Sequence, residues 1–477
     1  MASMRFKVRI REGMKGISKE ERMEEIRENK MGTMLVGKLL VSMAAPMIAS
    51  MLFQALYNIV DSIFVSRVSQ DALNAVSLSF PMQMLVIGVS TGTGVGMNAL
   101  ISRYLGEKNK EKADMTANTG IFLFLCSAVF FALLGWLAPK KFFEIQTGNP
   151  QIIRYGTDYL TVVLGLAFGV LAQMSGERLL MSTGKTSLSM ISQITGAAIN
   201  MVLDPIMIFG LFGFPRMEVR GAAVATVCGQ CIAAMVAYTF CITKNKEITL
   251  SLRKIRPVGA VIKEIYRIGL PSILMQCMGS IMNFGLNAIF ISFTEAATAA
   301  FGAYYKIQSF IFFPVFGLNN ALTPIVSYNF GARKPDRVRK AVRIAMIFAI
   351  SVMTFGLILF ETIPGTLLSL FSPTEEMLRV GSTAFRIIAI SFPVAGFCII
   401  TGAATQALGQ PKCLLMTSLC RQLLVLLPVA YLLSLTGQLD LVWLSFLVAE
   451  VASLLISIHY LRKTYREALT PMEEARS

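Results

Sequence analysis

The sequence predicts an all-α membrane protein, with twelve transmembrane helices forming two six-helix lobes related by a pseudo-two-fold axis along the membrane normal. Three observations predict it. Of 477 residues, 55% are hydrophobic and only 15% charged, and a spanning helix needs about 20 apolar residues, so the chain holds material for roughly a dozen spans. Suitable apolar runs fall near 38–65, 74–101, 117–138, 153–180, 188–212 and 221–243, then near 265–292, 298–327, 341–363, 379–405, 414–435 and 438–461. The two sets also repeat: at an offset of 225 residues Pro46 matches Pro271, Asn58 matches Asn283, Gln83 matches Gln308, Ser102 matches Ser327 and Gly106 matches Gly331. Six spans per half return the second half to the orientation of the first, which makes a parallel repeat with substrate expected near the midplane between the halves.

The formal net charge of +16 does not point to nucleic acid, because Lys and Arg gather in alternate loops between apolar runs. That asymmetry places both termini in the cytoplasm. Residues 1–36 form a basic and acidic cytoplasmic tail without the apolar core of a cleavable signal. The N-lobe follows at 37–243, a basic cytoplasmic linker at 244–264, the C-lobe at 265–462 and a short cytoplasmic tail at 463–477.

The first span organises the rest. Gln54, Tyr57, Asn58 and Asp61 stand at i, i+3, i+4 and i+7, which gathers the polar groups on one helical face. A charge at membrane depth costs about 2.5–3.5 kcal/mol on insertion scales, so such a residue faces a cavity and has a task; an alternative is that Asp61 is solvated at the helix end near Arg67. In the fifth span Asn200 and Asp204 share a face, and Pro205 withdraws a helical partner from the carbonyl of Met201. An interrupted helix beside a carboxylate is a way to build a cation site at depth; a simple kink with Asp204 near the outer surface is the alternative. Two such carboxylates can pass a proton, or hold a monovalent ion together with Asn and Thr oxygens. The second half lacks them: Asp61 lies opposite Asn287, and Leu427 stands against Asp204.

Further polar groups at depth are Gln173 and Glu177 in the fourth span, Thr226 and Gln230 in the sixth, Lys306 in the eighth, Arg421 and Gln422 in the eleventh, and Glu450 and His459 in the twelfth. Lys306 and Arg421 either line the cavity or snorkel as anchors. With Gln54, Tyr57, Asn58, Gln173, Glu177, Asn283 and Asn287 they are the candidates for the substrate cavity.

Several function classes drop out. A single histidine excludes a metal-hydrolase centre built on several. The Cys228 and Cys231 pair sits in an apolar helix, where small thiols are packing residues, so a redox role is not expected. STGKTS at 182–187 lacks the upstream glycine of a phosphate-binding loop, since position 179 is Leu. GTGVG at 92–96 carries the G-x-x-x-G spacing of close helix packing. No cofactor, nucleotide drive or nucleic-acid partner is expected.

Taken together, YNIVDSIFVSR, SFPMQMLVIGVSTGTGVGMNALISRYLGEKN, NMVLDPI, GAAVAT and KIQSFIFFPVFGLNNALTPIVSYNFGARK resemble the multidrug and toxic compound extrusion (MATE) family, over roughly residues 35–462. The likeness is to the bacterial branch with acids in both the first and fifth spans. It implies a V-shaped pair of lobes in the bacterial cytoplasmic membrane, exporting organic cations or amphiphilic drugs in exchange for protons or sodium, acting as a monomer. On that pattern Asp61 matches the first-span acid, Asn200 and Asp204 the fifth-span pair and Thr226 a sixth-span ligand, with sodium held by these four if sodium is the ion. The fourth-span Asn of many relatives has no counterpart here; Glu177 is nearest. A lipid-linked oligosaccharide flippase of the same superfamily is the alternative, and would need a strongly cationic cavity.

Overall fold

The computed structural model describes residues 29–474; the tail before residue 29 and the last three residues lie outside the described part. Among the described residues ten helices are long and apolar enough to cross a membrane, and counting each of two bent pairs as one span gives twelve. Spans 1 to 3 are Val36–Ser66, Gln70–Gly106 and Lys110–Leu137, and spans 5 to 9 are Thr186–Phe209, Glu218–Thr243, Gly259–Ile291, Glu295–Gly331 and Pro335–Thr362. Span 11 is Lys412–Ser434 and span 12 begins at Leu439.

Spans 4 and 10, expected as single helices, are each bent. Pro150–Gly165 meets Phe168–Ser182 at 44°, and Glu375–Ala389 meets Phe392–Ala407 at 48°. Pro393 stands in the first turn of the latter piece, where its missing N–H costs nothing. Span 5 departs the other way. Pro205 removes one rung, yet the helix runs unbroken to Phe209 because the neighbouring rungs persist, so the expected interruption at Asp204 is absent.

The repeat is carried into local geometry. Ser102 Oγ donates to Ser182 O at 2.8 Å, and 225 residues on Ser327 Oγ donates to Ala407 O at 3.0 Å. Ser69 caps span 2 and Thr294 caps span 8, each accepting a backbone N–H at 3.0 Å. Left-handed residues recur at Lys108 and Arg333 (φ 58° and 53°) and at Gly184 and Gly409 (φ 81° and 80°).

The halves meet where glycines permit it. A Cβ on Gly106 would lie 2.0 Å from Tyr328 O, and one on Gly331 would lie 2.1 Å from Arg103 O. Gly92 packs on Ile273, and its mate Gly317 packs on Ile48. Span 2 thus lies on span 7 and span 8 on span 1, and the Gly106 and Gly331 contacts close the end of the bundle that carries the described termini. There Arg337 donates to the carbonyls of Met31 and Met34 at 3.1 and 2.7 Å, and Arg339 pairs with Glu473.

Each half has its own core, and span 1 belongs to both. Leu39, Leu40 and Met43, before Pro46, are buried with Leu318, Leu322 and Val342 of the second half, whereas Val65 is buried with Ala72, Leu164 and Ile208 of the first. The outer faces stay apolar, with Val129, Phe130, Phe355 and Leu455 exposed. A bilayer covers such faces at no polar cost.

Candidate functional site

Span 5 is drawn onto span 6 by facing glycines: a Cβ on Gly196 would meet Gly229 O at 2.9 Å, and one on Gly229 would meet Gly196 O at 2.6 Å. One turn on, Asn200 reaches Thr226, its Nδ2 donating to Thr226 Oγ1 at 3.2 Å and to Asp204 Oδ1 at 3.3 Å. Asn200 is 3% exposed and Asp204 is fully buried, so Asp204 does not sit at an outer surface. Span 1 packs against span 5 and brings Asp61 within electrostatic reach of Asp204.

Three oxygens are left over. Asp61 Oδ1, Asn200 Oδ1 and Asp204 Oδ2 are buried with no hydrogen-bond partner among the described residues. Leaving buried acceptors unmet costs about 1–3 kcal/mol each, a cost that a proton or a small cation accepted by these oxygens would offset. No group of three or more His, Cys, Asp or Glu that could hold a metal ion occurs among the described residues. Two carboxylates with amide and hydroxyl oxygens suit a hard monovalent ion.

Between the lobes lies a cavity of about 960 Å³. Gln54, Tyr57, Asn58, Asp61, Gln173, Glu177, Asn200, Thr226 and Arg421 all line it; Asp204 stands behind Asn200. The cavity runs from Asn98 and Thr323, short of the Gly106 and Gly331 contacts, to Ser62, Leu73 and Ser77, within a few residues of the turn joining spans 1 and 2, so it reaches the end opposite the termini. On the C-lobe wall Met, Phe and Tyr side chains, among them Met275, Tyr304, Phe312 and Phe446, alternate with polar ones such as Gln276, Gln308, Asn320 and Gln422.

Three expected lining residues are not there. Lys306 is exposed on the flank of span 8, its ammonium 5.8 Å from the Phe371 ring centre. Asn287 is exposed and Asn283 half-buried, and neither lines the cavity. The inward face of span 7 runs instead through Ser272, Gln276 and Gly279; Asn287 matches Asp61 only with a one-residue slip, and Leu286, which stands 225 residues from Asp61, is buried in the core.

Glu177 is already satisfied. Gln173 Nε2 and Gln193 Nε2 donate to its two oxygens at 2.9 and 2.6 Å, so it is not a free ion ligand. Arg178 was missed by sequence reasoning, its charge having been grouped with the basic turn that follows. It is 8% exposed, lines the cavity, and donates to Asn320 Oδ1 of the other lobe at 3.2 Å. Two arginines on one cavity at membrane depth were the available signal. Cys228 and Cys231 are free thiols.

The MatE family model matches residues 46–206 and 271–432, once in each half. The chain belongs to the MatE family. This MatE protein is 27% identical to a protein of Shewanella oneidensis named FAD transporter, over 83% of this chain and 88% of the relative. It is 26% identical to the Multidrug export protein MepA of Staphylococcus haemolyticus, over 87% and 91%. Among solved structures, a MOP superfamily transporter from Pyrococcus furiosus, described as having reverse polarity of its binding pocket, superposes with a TM-score of 0.85 at 26% identity, covering 92% of this chain and 97% of that one. An outward-facing multidrug resistance MATE transporter superposes at 0.86 with 25% identity, covering 94% and 99%. The MatE chain is accordingly a membrane transporter and not an enzyme.

Proposed function

We propose that this MatE protein is a secondary active multidrug efflux antiporter of a bacterial cytoplasmic membrane, exporting organic cations and amphiphilic drugs in exchange for protons or sodium by alternating access. The observation that carries the reading is the trio of unpartnered oxygens on Asp61, Asn200 and Asp204 in one lobe, beside a cavity closed by a glycine seam at one end. With both termini cytoplasmic, the seam is the inner gate and the cavity is open to the outside.

Span 1 supplies the coupling. It begins in the core of the C-lobe and ends in that of the N-lobe, so an ion that draws Asp61 toward Asp204 changes how the span bears on the seam. Each net positive charge carried inward by the exchange releases about 2.3 kcal/mol per 100 mV, enough to drive a substrate gradient of tens of fold. The aromatic and thioether wall gives adaptable apolar contact, the property of promiscuous sites. The relatives named multidrug export protein support this substrate class. The protein acts as a monomer in the bilayer, with no cofactor beyond the coupling ion.

The flippase alternative is not favoured. A sugar pyrophosphate head group needs clustered cations, whereas the two cationic side chains that line the cavity, Arg178 and Arg421, lie on opposite lobes. The deciding measurement is ethidium efflux from vesicles holding the purified protein, with pH and sodium gradients imposed separately. Efflux driven by one gradient is expected; efflux indifferent to both would overturn the reading.

A further inference from the structure

Span 12 carries a basic groove on its outer face, away from the cavity between the lobes. The span runs 36 residues, from Leu439 to Glu474, about 50 Å at helical rise, so it outruns a hydrocarbon core of about 30 Å. Asp440 stands in its first turn, and about 20 residues from there bring the chain to His459. This histidine, read from the sequence as a group at depth, therefore stands at the far boundary of the bilayer.

Helical spacing draws one stripe down the bilayer side of the span. Leu444, Val448, Val451 and Leu455, at i, i+4, i+7 and i+11, are 37–64% exposed. Their line continues through His459, Arg462 and Arg466, all exposed. Where the two parts meet, Leu455, Ile458, His459, Arg462, Lys463 and Arg466 line a groove of about 370 Å³. Its cations are left over. At the same end of the bundle Arg103 pairs with Glu107 and Arg339 with Glu473, at 3.0 and 2.9 Å. The side chains of Arg462 and Arg466 make no hydrogen bond or ion pair among the described residues, and Lys463 stands 3.9 Å from Glu467, too far for a hydrogen bond. Like charges three and four residues apart destabilise a helix, so the cluster calls for an anion.

We propose that this groove binds one anionic phospholipid, its phosphate held by Arg462 and Arg466 with His459 and Lys463 beside them, and an acyl chain lying along Leu455, Val451 and Val448. The guanidinium fork fits a phosphate. From Leu444 to Leu455 the apolar stripe is about 17 Å long, close to half the hydrocarbon core and so to the depth that one acyl chain occupies. The occupant is a lipid rather than a free phosphate because apolar and cationic side chains share the groove and it faces the bilayer at headgroup level. The site lies on the flank of the C-lobe and does not depend on the efflux reading.

The test titrates the purified full-length protein with phosphatidylglycerol and, separately, with phosphatidylcholine of the same acyl chains, and reads the first bound lipid by native mass spectrometry. R462Q/R466Q should weaken the first phosphatidylglycerol by about 30-fold, the attraction of two basic side chains to an anionic headgroup, with phosphatidylcholine changed by less than about twofold. R466Q alone should weaken it by about fivefold, and serves if the double variant is unstable. K110Q/K340Q removes the same charge from exposed positions at the same end of the bundle and should leave both lipids unchanged. Unaltered phosphatidylglycerol binding in the arginine variants, an equal loss in K110Q/K340Q, or equal losses for the two lipids would overturn the proposal. Displacement of the lipid by an excess of inorganic phosphate would assign the groove to a free anion and overturn it too.

Discussion

The two halves of this chain share a scaffold and differ in chemistry. At the offset of 225 residues, the serine bond from span 2 to span 4 recurs between spans 8 and 10, the bends of spans 4 and 10 agree within a few degrees, and each half presses a glycine against the other's backbone. At the same offset Asp61 becomes Leu286 and Asp204 becomes Val429. Leu286 is buried in the second core. In place of the oxygen cluster, the C-lobe carries Arg421, on a π-helical turn, 3.9 Å from Glu450. Backbone contacts are thus retained where the lobes must fit each other, and side chains diverge where each lobe faces the cavity.

The comparison can be broken most sharply at its acids. Asp61→Asn is expected to abolish gradient-driven ethidium efflux, a fall of about a hundredfold or more, with expression intact, while Asn287→Ala stays within about twofold. Retained efflux in the aspartate variant would remove it from the ion site.

Next comes the seam. Gly106→Ala and Gly331→Ala each put a Cβ against a backbone oxygen, and overpacking of this kind costs about 1–3 kcal/mol. Each should reduce efflux by about tenfold and open the terminus-side gate to a membrane-impermeant thiol reagent at a cysteine placed there. Similar effects from the two are required by the two-fold axis; a large effect from one alone would deny the seam its symmetry.

Smaller effects are expected at the supporting ligands. Asn200→Ala and Thr226→Ala should each raise the ion concentration for half-maximal efflux by about tenfold, the order of a hydrogen bond to a charged group, without altering substrate binding in saturating ion. The smallest effect separates scaffold from chemistry: Ser102→Ala and Ser327→Ala should each cost about 0.5–1.5 kcal/mol of stability, seen as matched shifts in thermal unfolding, with coupling ratios unchanged.

Much of the site was legible because helical spacing is a local rule. Asn200 and Asp204, four residues apart, had to share a face, and so did Tyr57, Asn58 and Asp61. Lys306, Asn283 and Asn287 misled because a polar residue in an apolar run says that something must satisfy it without saying where. Lys306 meets its need at the rim beside Phe371, and Asn287 is exposed. Arg178 was hidden by the opposite error: a basic residue close to a loop was assigned to the loop, whereas the bent fourth span carries it back to the cavity and across to Asn320.

By itself the sequence determined the number of spans, the repeat, the apolar outer surface and which lobe holds the paired acids, because hydropathy, periodicity and internal likeness are written along the chain. The tertiary structure alone decided that span 1 is shared between two cores, that Glu177 is satisfied by its glutamines, and that Arg421 and Glu450 stand together on the cavity wall. Each of these depends on which faces meet after helices bend and glycines let backbones touch; Gln193 reaches Glu177 from the next span, and Arg421 meets Glu450 from span 11 to span 12.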